Sequence, residues 1–116
     1  MNGHWSLQSD ADRIAWLTCD MAGASTNVLS GEVVRELAEK LKEAAALRPT
    51  GMIVQSGKRN GFIAGADIKE FLGIRSPAQG YELVRAGQSV MQQLEDLPFP
   101  TVAAVRACER QFKAAP

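Results

Sequence analysis

A chain of 116 residues with thirteen basic and thirteen acidic side chains holds one domain or part of one, with no net field to draw it to nucleic acid or an anionic surface. Its basic residues do not cluster, the densest pair being Lys58-Arg59, so nucleic-acid binding is a poor match. Cys19 and Cys108 lie far apart at no metal-ligand spacing, and His4 is the single histidine, so no metal site is expected.

No apolar run approaches membrane-spanning length and no secretory leader is visible. The cysteines therefore read as reduced thiols of a soluble, cytoplasmic protein.

Residues 4–8 and 13–19 read as two strands joined by the polar turn Ser9-Asp10-Ala11-Asp12. In the second, Ile14, Trp16 and Thr18 alternate with Ala15, Leu17 and Cys19, the period of two that marks a strand. Both faces are mostly apolar, which predicts a strand covered on each side. A loop rich in small residues follows over 20–29.

Ser30 then offers a hydroxyl as N-cap, and Glu32 places an anion in the first helical turn. The helix predicted over 31–47 puts Val34, Leu37, Leu41 and Ala45 on one stripe. Glu32, Arg35, Glu36, Glu39, Lys40 and Glu43 should form its solvated face, and Pro49 and Gly51 stop it.

Residues 51–56 form a short apolar strand. A glycine-spaced loop follows, with Gly57, Gly61 and Gly65, and a short amphipathic piece begins at Asp67. Glycine tolerates positive φ and lets backbone approach a ligand closely. The first turn of a helix leaves N–H groups unpartnered. Loop 61–71 is thus a candidate anion or oxyanion site made mostly of main chain.

A second helix opens at Ser76-Pro77 and runs to about 96, with Leu83, Gly87, Val90, Leu94 and Leu97 as a core stripe. Pro98 and Pro100 end it. Thr101 to Val105 reads as a buried strand of the parallel-sheet type. Hairpin, helix, strand, loop, helix, strand implies an α/β fold with a largely parallel sheet and right-handed crossovers. Ligands in such sheets gather at the carboxyl ends of the strands, where loop 61–71 falls.

Three stretches then carry a resemblance. Phe62-Ile63-Ala64-Gly65-Ala66-Asp67-Ile68-Lys69-Glu70-Phe71 resembles the signature loop of the crotonase superfamily, the enoyl-CoA hydratases and isomerases. Thr26-Asn27-Val28-Leu29-Ser30 resembles the family's approach to its first helix. Leu97-Pro98-Phe99-Pro100-Thr101-Val102-Ala103-Ala104-Val105 resembles its proline-bounded strand. The three occur in the family's order across 4–105.

The resemblance implies a partial ββα spiral over 1–105 that binds an acyl-CoA or enoyl-CoA thioester of fatty-acid β-oxidation. Coenzyme A enters as part of the substrate, with no separate cofactor. The backbone N–H of Ala66 becomes one donor of an oxyanion hole, and backbone around Ala64 meets the adenine. Gly65, Asp67 and Ile68 complete the substrate-contacting segment, and Lys69 reaches the phosphates. On its own chemistry Asp67 reads as a helix cap, Glu70 as a solvated residue, and Lys58 and Arg59 as ordinary loop charges.

Residues 106–116 depart from the family. Arg106-Ala107-Cys108-Glu109-Arg110-Gln111-Phe112-Lys113-Ala114-Ala115-Pro116 contains no glycine and one acid, Glu109. The family's second oxyanion glycine and catalytic glutamates have no counterpart in this stretch. The expectation is an amino-terminal fragment that binds its thioester without turning it over. The alternative is a non-catalytic CoA-binding module or decayed product that acts through association. Uncovered strand edges and helix faces would favour a homo-oligomer or a partner chain.

Overall fold

The computed structural model describes residues 3–59, 61–65, 70 and 72–105. Its elements run β1 (Trp5–Ser9), β2 (Ile14–Cys19), α1 (Gly31–Leu47), β3 (Gly51–Ser56), α2 (Pro77–Glu95) and β4 (Thr101–Ala104). They form one four-stranded sheet in the order β1-β2-β3-β4. The β1/β2 pair is antiparallel, with Trp5 opposite Cys19 and Ser9 opposite Ala15. Strands β2, β3 and β4 are parallel, with Leu17 opposite Val54 and Val54 opposite Ala103. The element order along the chain, the hairpin and the largely parallel sheet are as the sequence predicts.

The hairpin turn is built on Asp10. Its Oδ1 accepts from the backbone N–H of Asp12 at 2.8 Å and of Ile14 at 3.0 Å. Oδ2 takes the indole N–H of Trp16 at 2.9 Å, and Arg13 closes the turn with φ 62°. These bonds hold the Asp10 carboxyl below its ordinary pKa, the Trp16 bond contributing most.

Both helix starts carry the caps their sequences announce. Ser30 Oγ accepts from Val33 N–H at 3.2 Å, and Ser76 Oγ from Gln79 N–H at 3.2 Å. Helix α1 stops where Arg48 turns left-handed at φ 49°, one residue before Pro49.

The core lies between one face of the sheet and α1. Ala15, Leu17 and Cys19 of β2 and Met52 and Val54 of β3 meet Val33, Val34, Leu37, Leu41 and Ala44 of α1. Four sequence expectations change here. The stripe of α1 includes Val33 and Ala44, while Ala45 is exposed. Glu36 lies in the buried face: only 6% exposed, it accepts from Trp5 N–H at 2.9 Å and His4 N–H at 3.3 Å. The starting N–H groups of β1 have no strand on that side, so a carboxylate from α1 satisfies them. Strand β2 is fully buried on one face, while Ile14, Trp16 and Thr18 on the other are half-covered. Strand β4 is exposed at all four residues, because no further layer covers it among the described residues.

Helix α2 differs from its expectation in degree. Its stripe points inward, but only Val90 is buried, with Leu94 and Leu97 packed partly against the core. An open groove of about 1490 Å³ runs beside it, bordered by Leu29, Val34, Leu83, Met91 and Leu97.

Candidate functional site

Parallel pairing brings the carboxyl ends of β2 and β3 together, with Cys19 opposite Ser56. Gly57 N–H donates to the Cys19 carbonyl at 2.8 Å and continues the ladder for one residue. Both chains then leave the sheet, β2 into the stretch leading to α1 and β3 into the glycine-spaced loop.

Asn27 joins these departures. It is 1% exposed, and its amide nitrogen lies 2.9 Å from the Cys19 carbonyl, 2.9 Å from Ser56 Oγ and 3.0 Å from the Phe62 carbonyl. Its Oδ1 accepts from Met21 N–H at 2.9 Å, which fixes which end of the amide is which. Two N–H groups shared among three acceptors tie the end of β2, the end of β3 and the new loop to one side chain. In the sequence Asn27 is visible only as a member of a motif. An amide in a small-residue loop does not show how many carbonyls it will face.

The loop is also held along its backbone. Ala64 N–H donates to the Asn27 carbonyl at 2.8 Å, and Leu29 N–H donates to the Gly65 carbonyl at 2.6 Å. Gly61 has φ 74° and Gly65 φ 119°. An added Cβ would meet no atom within 4 Å at either position, so the backbone angle and not crowding calls for glycine there. The expected glycine conformations are therefore present at the end of β3.

Of the predicted site residues, Ala64 and Gly65 stand together here, Ala64 exposed and Gly65 half-buried. Ala66, Asp67, Ile68 and Lys69 lie outside the described residues, as do Cys108, Glu109 and the rest of 106–116.

Two charged residues differ from their sequence reading. Glu70 is half-buried instead of solvated, and both carboxylate oxygens lie 2.9 Å from the N–H of Gly31, the first residue of α1. A carboxylate is favoured there by the unpaired donors and the dipole of the helix start. Lys58 is no loose loop charge. Its ammonium bonds Asp20 Oδ1 at 2.7 Å, the Met21 carbonyl at 2.7 Å and the Ala24 carbonyl, which pins the 20–24 stretch beside the loop. A Lys58 so engaged is occupied by its own chain.

The other ionisable groups nearby serve structure. His4 Nδ1 accepts from Ala22 N–H at 3.1 Å, so Nε2 carries the proton and donates to Glu32 at 2.8 Å. Cys19 is a buried free thiol whose pKa is pushed up to about 11, by burial first and then by the negative charge of Asp20. It is no nucleophile at neutral pH. Among the described residues no group of three or more His, Cys, Asp or Glu could hold a metal ion, and no helix is long and apolar enough to cross a membrane.

Comparison with known proteins gives this geometry a setting. The family model described as Enoyl-CoA hydratase/isomerase matches residues 15–108. The fatty acid oxidation complex subunit alpha of Aliivibrio fischeri is 38% identical over 99 residues, covering 83% of this chain and 14% of that protein. Its namesake from Vibrio parahaemolyticus is 36% identical over 104 residues, with 87% and 14% covered. The chain thus spans about one seventh of the length of these curated relatives.

Among solved structures, an enoyl-CoA hydratase from Bacillus anthracis superposes with a TM-score of 0.79 at 24% identity, over 90% of this chain and 40% of that one. An enoyl-CoA hydratase/carnithine racemase from Magnetospirillum magneticum gives 0.80 at 24% identity, over 90% and 39%. At such identity these superpositions speak for the fold alone: a partial crotonase-like spiral.

Proposed function

The chain belongs to the enoyl-CoA hydratase/isomerase family, and from that premise we propose that it is the amino-terminal part of an acyl-CoA thioester-binding domain of fatty-acid oxidation. The backbone N–H of Ala66 holds the thioester oxygen. Ala64, Gly65, Asp67 and Ile68 line the substrate, and Lys69 meets a phosphate of coenzyme A. The observation that carries the reading is the loop at the carboxyl end of β3. Its glycines take positive φ and its backbone is bonded to 27–29, which leads into α1. Residues 64 and 65 are thus held by the chain's own backbone bonds.

The chemistry follows from charge. Adding water to an enoyl thioester, or shifting its double bond, builds negative charge on the carbonyl oxygen. A fixed donor at that oxygen is worth about 3 kcal/mol of barrier. Proton transfer needs a positioned acid or base as well. We therefore assign this chain thioester binding through that donor.

Calorimetric titration with crotonyl-CoA and with free coenzyme A tests this directly. Crotonyl-CoA should bind more tightly, and Ala66→Pro, which removes the N–H, should abolish the difference while leaving coenzyme A affinity in place. Equal affinities in the parent chain would overturn the oxyanion assignment.

A second reading, association with a further chain, rests on uncovered surfaces of α2 and β4. Tyr81, Val84 and Met91 of α2 are exposed, as is Val102 of β4, which by register shares the sheet face of Ile53. Sedimentation should show self-association or a mixed complex, and a stable monomer at micromolar concentration would contradict it. The free thiol of Cys19 suits a reducing cytoplasm. Recovery of the protein from an oxidising compartment would argue otherwise.

A further inference from the structure

Helix α2 carries a second stripe besides the one turned to the core. The inward stripe holds Leu83, Gly87, Val90 and Leu94, with Val90 buried and the others half-buried. Tyr81, Val84, Gln88, Met91 and Glu95 form the other, spaced by three, four, three and four, the seam pattern of paired helices. At about 3.6 residues per turn the two stripes lie roughly 110° apart. Tyr81 is 68% exposed, Val84 48% and Met91 42%. Three large apolar side chains along one exposed helix face mark a contact surface.

The seam is complementary to itself in one orientation. With two copies of α2 antiparallel and a two-fold axis at Gln88, Val84 of each meets Met91 of the other, and the two Gln88 amides pair. Tyr81 meets Glu95, whose carboxylate accepts the phenolic O–H. A parallel pair would instead set Glu95 on Glu95 and Arg85 beside Arg85, with both helix dipoles aligned. Antiparallel pairing brings Arg85 towards the Glu95 end of the second helix and removes these repulsions. Gly87, beside the seam, has no atom within 4 Å of where a Cβ would stand, so a second backbone can approach closely.

Space and length agree. A helix about 10 Å across fills about 80 Å³ for each ångström of its length, so the groove of about 1490 Å³ bordered by Val84, Gln88, Met91 and Glu95 takes roughly 19 Å of helix. The seam from Tyr81 to Glu95 is about 21 Å long at a rise of about 1.5 Å per residue. We propose that this face of α2 is a dimer interface: two copies of the chain pair antiparallel through Tyr81, Val84, Gln88 and Met91, with Gln88 on the two-fold axis. The proposal rests on the association reading above and names its partner and its face. A contact of this length is at the small end of specific interfaces, so the dimer should dissociate on dilution.

The test uses the full chain carrying Cys108→Ser, which leaves the buried Cys19 as the one native thiol. Single cysteines are placed at exposed seam positions, and the purified proteins are oxidised under mild conditions. Gln88→Cys should form a disulfide-linked dimer by itself. Tyr81→Cys and Glu95→Cys should not do so alone, but should cross-link to each other when mixed. Cross-links in every single variant would mean parallel pairing and would overturn the proposal.

Sedimentation equilibrium supplies the second readout. Val84→Glu and Met91→Glu place a charge in the seam and should each raise the dimer Kd at least about tenfold, with the far-ultraviolet circular dichroism unchanged. Arg85→Glu and Glu95→Arg should each weaken the dimer, and the two together should restore it. Self-association that survives Val84→Glu, with no Gln88→Cys cross-link, would overturn this interface and leave the association reading standing. A chain that stays monomeric at high micromolar concentration would overturn both. A Gln88→Cys thiol shielded from labelling in that monomer would assign the seam to residues 106–116 of the same chain.

Discussion

Helices α1 and α2 are similar in length, 17 and 19 residues, and each carries an apolar stripe beneath a capping serine. Helix α1 buries Val33, Val34, Glu36, Leu37, Leu41 and Ala44, whereas α2 buries Val90 alone. The strands beside them differ in the same sense. Strand β2 places Ala15, Leu17 and Cys19 at zero exposure, while Val102 of β4 is 60% exposed. A stripe becomes core only when a second surface covers it, and the local pattern does not say whether one will. The candidate loop lies where the packed side ends, anchored to β2, β3 and the start of α1.

The largest contrast should come from emptying each side in turn. Leu17→Ala removes a fully buried side chain and should cost about 3 kcal/mol in denaturant unfolding. Val102→Ala should stay within about 0.5 kcal/mol. Comparable losses at both positions would mean that β4 is covered in solution, and would place a partner on that face.

Asn27→Ala tests the junction between the two sides. It leaves the Phe62 carbonyl and Met21 N–H without this partner and takes one of two donors from the Cys19 carbonyl, at a cost of about 2 kcal/mol. It should also free the loop, seen as faster exchange at Ala64. A loss of stability with no change at Ala64 would separate the core from the loop and weaken the link drawn here.

Two titrations sharpen the comparison more gently. The Cys19 thiol is raised to about 11 from 9.0, so it favours the fold below its unfolded pKa. That contribution should fade as pH rises from about 9 towards about 11, and Cys19→Ala should flatten the alkaline limb of the stability curve. At neutral pH the thiol should resist alkylation until the chain unfolds.

Asp10 has the opposite sign. Its carboxyl is lowered, so its contribution is present above the unfolded pKa and is lost as acid protonates it in the fold. Asp10→Asn should reduce the acid-side slope by a small amount. An identical acid limb would remove Asp10 from the account.

Much of the fold was legible in the sequence because its signals are local. Ser30 and Ser76 announce caps, Pro49 and Pro98 announce stops, and alternation announces β2. All of these act within a few residues, so the element order and the parallel sheet followed. Gly61 and Gly65 were legible as well, since positive φ is a property of one residue's backbone. What was misread lies at long range. Glu36 looks like one more surface acid until β1 brings two N–H groups to it. Glu70 looks solvated until the start of α1, 39 residues earlier in the chain, is folded against it.

The sequence by itself determined the elements, their order, the glycine loop and the family's motifs, because each is set by spacing, cap chemistry or backbone freedom. Only the tertiary structure decided which apolar faces are covered, which carboxylates are structural, and that both ends of the candidate oxyanion loop are tied to residues 27–31. Those outcomes depend on which groups meet across the sheet and between loops. No window of sequence contains both partners.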